Sequence, residues 1–384
     1  MVIVSEIAHG GEVHLQFNSC FLKIIDDLYT DEIYFRAEKA HSEAIQAIEM
    51  TDKITYIPFE KYYDTEQYSW LSRVFGEIKQ VINSLKIGKE LNARIYIWTC
   101  LLPTGQLFLN LISRLYNNDK IHIIVLHGEL EMIKNKRGKI TKLLLGYLLK
   151  FSFFVSARTT KFIVLGDSIK NHLSKKISSK SLRKVISILH PYDYSKPNFT
   201  PVQLSKNKLI YGTIGTLMVN KNSQNLFLVA SYFKNSILAG EIEFRAIGKV
   251  LTEIEPFRNE LVSLQYSDSF VPQYLFEKAI KEMDFVLFFY DNNSYQLCAS
   301  GAIFEIIKLG IISISITNDY FEWLFNKYGR MGFLCKDMEA MKVLIEGIST
   351  GKYKAEIEIM KDNIRSFKID NGLSSITRKL SEFI

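Results

Sequence analysis

Short apolar runs recur along the whole chain. Each is separated from the next by a longer stretch with apolar residues at three- and four-residue spacing, the pattern of a helix with one buried face. In the first half the runs fall at Val2–Ile7, Glu32–Arg36, Lys53–Pro58, Ala93–Thr99, Ile121–Leu126, Lys161–Leu165 and Val185–Leu189. The helical pattern there is clearest over Tyr68–Leu85 and Gly105–Tyr116. In the second half the runs are Lys208–Thr213, Glu243–Ile247, Tyr266–Val271, Phe285–Tyr290, Ile311–Ile316 and Gly332–Cys335, and Met338–Ile384 reads as helix with charged faces. Strands alternating with helices predict an α/β protein built on doubly wound parallel sheets. Pro191, Pro197 and Pro201 fall together where the alternation pauses, and proline holds its predecessor extended. The pattern therefore predicts a domain over 1–190, a linker over 191–207 and a second domain over 208–365. A C-terminal helix over 366–384 is expected to pack back toward the first domain.

Composition narrows the class only a little. A chain of 384 residues favours two domains, and 47% hydrophobic with 23% charged residues is ordinary for a folded protein. The net charge of +7 is mildly basic. Cys20, Cys100, Cys298 and Cys335 form no CxxC pair and read as reduced, buried thiols of a cytoplasmic protein. No basic region precedes the apolar run at Met1–Glu6, which reads as a first strand and not a signal peptide. The most apolar helix, Leu143–Ala157, is interrupted by Lys150 and falls short of the roughly 20 residues that a membrane span needs. There is no GxSxG, Walker A or HExxH motif. His9 and His14 are five residues apart, poor spacing for one helical face, so no metal site is read. The basic clusters lack interleaved aromatic residues, which argues against nucleic acid.

The candidate chemistry sits after strands. Ile210–Thr216 ends in a small-residue turn, and Asn220-Lys221-Asn222 follows at an expected helix start. Lysine is disfavoured at a helix N-terminus, where the backbone dipole is positive, and a bound phosphate would reverse that; otherwise Lys221 is a solvated surface residue. Ser300-Gly301-Ala302 opens a second helix, where small residues let a diphosphate reach backbone N–H groups and Ser300 can equally cap the helix. Glu305 lies on an otherwise apolar face of that helix and needs a partner, either a ribose diol or a base such as Lys308. In the first half, His127-Gly128-Glu129 follows the apolar strand Ile121–Leu126. His9-Gly10-Gly11-Glu12 follows the first strand, as a close-approach loop or as a simple turn.

This layout resembles the GT-B glycosyltransferases, in particular the retaining group 1 (family 4) enzymes. The likeness covers nearly the whole chain as architecture and is motif-like in the second half. There Gly215-Thr216-Leu217 with Asn220-Lys221 is similar to the family's phosphate loop, and Phe244–Gly248 to the strand that follows. Phe270-Val271-Pro272-Gln273 with Leu275 is similar to its base-binding turn, Met283–Leu287 to its central strand, and Ser300-Gly301-Ala302 through Glu305 to Gly310-Ile311 to its ribose helix. Three departures stand out: Thr216 replaces the loop arginine, Leu297 the acid eight residues before Glu305, and Ile312 the proline after the helix.

The resemblance implies a GT-B fold, two Rossmann-like domains facing across a cleft. The donor nucleotide-diphosphate sugar, UDP or GDP, would lie on Gly215, Thr216, Lys221, Val271, Ser300, Gly301, Ala302 and Glu305. Gln296 would stand in for the missing acid, and Gly10 and Gly11 would face the diphosphate. His127 and Lys221 are the expected catalytic residues and Glu129 an acceptor contact, with no metal or resident cofactor. The reaction implied is retaining transfer to a glycan or lipid-linked glycan in surface polysaccharide assembly. No DxD motif stands in the chain; the nearest pattern is Asp64-Thr65-Glu66. The basic lead Lys134–Lys142 into an apolar helix, with Lys175, Lys176, Lys180, Arg183 and Lys184, suits an anionic inner membrane face, or else a buried helix with a solvated loop. Two alternatives remain. A non-catalytic subunit supporting a partner transferase would explain the departures. A nucleotide-sugar epimerase would require clustered acids and histidines, which the linear sequence does not display.

Overall fold

The computed structural model describes residues 1–48, 52–60, 70–116, 119–134, 140–195, 208–268 and 271–383. Most of the expected linker (196–207), the Asp64–Glu66 pattern, residues 135–139 of the basic lead and Phe270 lie outside the described residues. The chain divides into two compact units. The first comprises Met1–Pro191, Leu297–Ala299 and Leu373–Ile384, and the second Tyr192–Gln296 and Ser300–Gly372.

The first unit carries strands β1 (Val2–Glu6), β2 (Ile33–Glu38), β3 (Ile54–Phe59), β4 (Ile95–Cys100), β5 (Ile121–Leu126), β6 (Thr160–Val164) and β7 (Val185–Ser187). Its helices are α1 (Leu15–Leu28), α2 (Lys39–Ile48), α3 (Trp70–Glu90), α4 (Pro103–Tyr116), α5 (Ile140–Val155), α6 (Asp167–Ser174) and α7 (Ser179–Leu182). All strand pairings are parallel, in the order β3-β2-β1-β4-β5-β6-β7. Alternate apolar residues of the strands, such as Val2, Val4, Phe35, Ile97, Val125 and Ile163, form one core face against Phe17, Phe21 and Ile25 of α1.

The second unit repeats the plan with β8 (Leu209–Ile214), β9 (Ile242–Ile247), β10 (Val262–Gln265), β11 (Phe285–Phe288), β12 (Ile312–Ile316) and β13 (Gly332–Cys335), ordered β10-β9-β8-β11-β12-β13. The helices are α8 (Asn225–Tyr232), α9 (Lys234–Leu238), α10 (Gln273–Lys281), α11 (Gly301–Leu309), α12 (Asp319–Tyr328), α13 (Met338–Ser349) and α14 (Lys354–Asp370). A last one, α15 (Leu373–Ser381), belongs to the first unit, where Ile376 and Leu380 join the core beside α1.

Of the thirteen strands among the described residues, twelve lie where the apolar runs put them. The exception is the run Tyr266–Val271. The strand there is β10, four residues at Val262–Gln265, and Tyr266 ends it in a left-handed conformation (φ +62). A second correction concerns Lys221, which lies in a short 3-10 turn, Val219–Lys221, ahead of α8 and not in its first turn. Among the described residues no helix is long and apolar enough to cross a membrane.

In both sheets the strand order reverses once, between β1 and β4 and between β8 and β11. Open parallel sheets bind ligands outside the carboxyl ends of the strands at that reversal, because the flanking loops there part to opposite sides. Both candidate clusters described next lie at these points.

Candidate functional site

In the second unit, β8 runs into Gly215 at φ +84, and Lys221 folds back so that its Nζ lies 3.9 Å from where a Gly215 Cβ would stand. The turn is built tightly. Gly248, at the end of β9, is at φ +127, and a Cβ on it would be 2.5 Å from the Gly215 carbonyl oxygen. The Val219 N–H donates to Glu253 Oε1 at 2.8 Å. Asn222 Nδ2 donates to the Phe289 carbonyl at 3.1 Å, tying the turn to the end of β11 across the strand reversal. Thr216 sits between Gly215 and the bridge Leu217–Val250. The structure therefore presents a lysine over a glycine turn at the switch point, an arrangement suited to a diphosphate.

Ser300 takes the N-cap position of α11 with an extended backbone, but its hydroxyl caps no N–H of the first turn. Gly301 and Ala302, both half-buried, follow as its first residues. Glu305 is almost wholly buried, and burial raises its carboxyl above the usual range. Its Oε1 accepts from Gln273 Nε2 at 3.0 Å, and Tyr192 also bonds to it. Lys308 pairs with Glu277, at 2.7 Å, and also acts electrostatically on Glu305, opposing the effect of burial. Val271 stands two residues before Gln273, the first residue of α10, with Pro272 as the N-cap. Gln296 Nε2 donates to Asp319 Oδ2 at 2.9 Å, while Asn292 Nδ2 bonds Asp319 Oδ1 at 2.7 Å. Leu297 is an apolar buried residue, and the carboxylate bonded to Gln296 is that of Asp319, at the start of α12. A cavity of about 420 Å³ lies elsewhere, lined by Gln265, Tyr266 and one face of α10 at Leu275, Lys278 and Glu282. It includes none of the expected donor residues.

The first unit holds a cluster that reading the residues in linear order missed. Glu6, the fully buried last residue of β1, accepts from the His9 N–H (3.1 Å), Asn18 Nδ2 (3.2 Å) and Thr99 Oγ1 (3.1 Å), and lies 3.4 Å from His14 Nδ1. Burial alone would raise its carboxyl, but His14, with His9 and His41, holds it down at about 2. His14 adopts a left-handed backbone (φ +62) at the start of α1. It stacks on His127 at 4.3 Å and meets His9 edge-on at 4.7 Å. The His127 Nε2 donates to the Thr99 carbonyl at 2.8 Å, which leaves Nδ1 with the lone pair. Burial, reinforced by His14, holds the His127 pKa well below the ordinary value, so the ring is neutral. Glu129 Oε1 accepts the His127 N–H at 2.8 Å, and burial pushes its carboxyl up to about 7. Phe17 supports the rings of His127 (4.7 Å) and His190 (5.4 Å).

The Gly10–Gly11 loop turns inward. Gly11, at φ +58, donates its N–H to Glu38 Oε2 at 3.0 Å, and a Cβ on Gly10 would stand 2.9 Å from the same oxygen. His41 Nδ1 donates to the Gly11 carbonyl at 2.6 Å, and its Nε2 accepts from Asn18 Nδ2 at 2.9 Å. Glu38 thus crowds Gly10, the left-handed backbone favours glycine at position 11, and the Gly11 N–H is directed at that carboxylate. Five of the seven histidines, His9, His14, His41, His127 and His190, belong to this network with Glu6 and Glu129. The expectation that acids and histidines are not clustered is corrected by this arrangement. The overlooked signal is positional, since all five lie in segments that follow predicted strands. The neutral His127 imidazole, an ionised Glu6 and a Glu129 raised to about 7 form an acid–base set suited to hydroxyl groups.

No protein-family model and no curated protein sequence matches the chain. Solved structures do. A glycosyltransferase from Rickettsia africae superposes with a TM-score of 0.63 at 16% identity, over 99% of this chain and 96% of that one. The α,α-trehalose 6-phosphate synthase of Burkholderia multivorans gives 0.65 at 9% identity, over 100% and 97%. The UDP-GlcNAc 2-epimerase of Neisseria meningitidis, solved with UDP-GlcNAc bound, gives 0.58 at 11% identity, over 100% and 99%. At such identities the likeness bears on the fold alone. Two parallel sheets of seven and six strands, each reversing order at its first strand, have the same architecture as these neighbours, and the chain has the GT-B fold.

Proposed function

We propose that the protein is a glycosyltransferase that takes a sugar from a nucleotide-diphosphate sugar, UDP- or GDP-linked, bound on the second unit. The acceptor would be a glycan or lipid-linked glycan held by the polar strand ends of the first unit. The observation that carries this reading is the Gly215 turn with Lys221 folded over it at the β8/β11 reversal. Lys221 and the first turn of α11 would stabilise the charge developing on the leaving diphosphate without a bound metal. Val271 and Glu305 would hold the base and ribose, the latter by exchange of its Gln273 and Tyr192 partners for the ribose hydroxyls. Gln296 and Asp319 together would receive sugar hydroxyls. On the first unit, His127 would act through the lone pair of its Nδ1 and Glu129 would contact the acceptor. A retaining outcome and a place in surface polysaccharide assembly follow from the family resemblance.

The reading extends to an inner-membrane surface. Ile140, Leu143, Leu144, Tyr147, Phe151 and Phe154 of α5 are all exposed, an apolar stripe beside the exposed Lys142. Lys134 and Lys184 do not contribute: Lys134 pairs with Glu131, and Lys184 bonds the carbonyls of Ser156 and Ala157.

Thermal shift against UDP, GDP, ADP and CMP tests the donor site. A ligand at 100 times its Kd stabilises by about 2.7 kcal/mol. Lys221→Ala should weaken diphosphate binding at least tenfold; equal binding by the variant, or no shift with any nucleotide, would refute the assignment. The histidine–carboxylate cluster favours one second reading, a nucleotide-sugar epimerase, since the residues that chemistry needs are assembled. Incubation with a nucleotide sugar and no acceptor separates the two, because only an epimerase yields a new nucleotide sugar under those conditions.

A further inference from the structure

The geometry points to a binding site for a borderline-soft divalent cation of the zinc class, held by His9, His14 and Cys100 where β1 and β4 diverge. One ligand atom from each residue lies within 4.8 Å of the others. A tetrahedral ion with bonds of about 2.0–2.3 Å places its ligands roughly 3.5 Å apart, so small rotations of these side chains close the site. Two imidazoles and a thiolate select zinc-like ions over magnesium or manganese, which prefer oxygen. The site is therefore distinct in kind from a metal that would hold a diphosphate, and it goes beyond the donor reading above.

Three independent features build it. Glu6 Oε2 lies 3.4 Å from His14 Nδ1, leaving Nε2 as the ligand atom, and a carboxylate behind an imidazole is the usual support of a metal-bound histidine. His14 is held at φ +62, a conformation that costs a non-glycine residue about 1–2 kcal/mol and that folds its ring in against His9. The β1–β4 register slips at the ends of the strands, so that Ser5 pairs with Trp98 but Glu6 with Cys100. The extra residue, Thr99, bonds Glu6 and the Ser5 carbonyl, and the slip sets Cys100 opposite Glu6. Burial, with Glu129, Glu6 and Glu77 and opposed by Arg73, raises the Cys100 thiol well above its ordinary range, so it keeps its proton until a cation displaces it. Three protein ligands leave a fourth position for water or an acceptor oxygen. Binding forms one sulfur–metal bond and transfers the thiol proton of Cys100 to solvent, with no change of oxidation state.

Cobalt(II) is the probe. Chelator-stripped protein, titrated with Co²⁺ under a non-thiol reductant, should bind one ion with a thiolate-to-cobalt charge-transfer band in the near ultraviolet and one proton released. Zinc should displace it. Cys100→Ser should abolish the band, Cys298→Ser should keep it, and His14→Gln should weaken binding at least tenfold, each variant being checked for unchanged circular dichroism. The absence of the band in the wild-type protein, or its persistence in Cys100→Ser, overturns the site. No nucleotide enters the assay, so its outcome is independent of the donor assignment.

Discussion

Gly248→Ala tests how the donor turn is built. At φ +127 an L-residue occupies a region essentially reserved for glycine, at a cost of about 1–3 kcal/mol. The new methyl would also stand 2.5 Å from the Gly215 carbonyl oxygen and 3.1 Å from its Cα. These are backbone atoms in a parallel ladder, and Gly215 is itself pinned by its N–H bond to the Ile247 carbonyl (2.9 Å), so they cannot swing aside as a side-chain tip can. Forcing a group into such a space costs about 1–3 kcal/mol more. The expected loss is therefore about 2–6 kcal/mol. Gly240→Ala is the matched control, because Gly240 also has positive φ (+76) but nothing within 4 Å of its Cβ position. It should lose only the backbone part, about 1–2 kcal/mol. Urea unfolding followed by circular dichroism compares the two. Any separation of the ladder must also move the carbonyl of Gly215, so diphosphate affinity should fall in Gly248→Ala and hold in Gly240→Ala at temperatures where both are folded. Equal losses of stability in the two variants would refute the packing argument.

Two further outcomes follow from the first unit. Burial raises the Glu77 carboxyl to about 7, against the Leu102 N–H and Thr104 hydroxyl bonds that favour its charge. The folded state then binds the proton more tightly than the unfolded chain. That stability is present in full below pH 4.5 and lost as pH rises through 7, a contribution on the order of 3 kcal/mol. Glu77→Gln keeps both bonds, since a hydroxyl can also accept, and its unfolding free energy should vary less between pH 5 and 7 than that of the wild type; parallel profiles would count against the assignment. On α5, Leu144 and Phe154 are 51% and 72% exposed, and full burial of such a side chain contributes about 1.5–3 kcal/mol. Replacing both by serine should lower co-flotation with anionic phospholipid vesicles at least tenfold, and a wild-type protein that does not float would exclude the membrane surface.

What the sequence reveals depends on how local the information is. Twelve strands are legible because each is an apolar run on a parallel sheet, most of them largely buried, and such runs need no distant partner to be recognised. β10 is not, because Val262-Ser263-Leu264-Gln265 is an edge strand with half its residues polar, while Tyr266–Val271 looks the better strand and is cut short by the left-handed Tyr266. The donor turn is legible in the same local sense: Gly215, Lys221 and Ser300-Gly301 are short motifs at strand and helix ends. Their support is not, since Gly248, Asn222, Gln273 and Asp319 reach them from other elements. The histidine cluster is wholly non-local. His9, His127 and His190 are more than a hundred and eighty residues apart at their extremes, yet each lies just beyond the carboxyl end of a strand, and a parallel sheet brings all such ends to one edge. Once the strands are known to be parallel, every polar residue in a segment that follows one becomes a neighbour of the others.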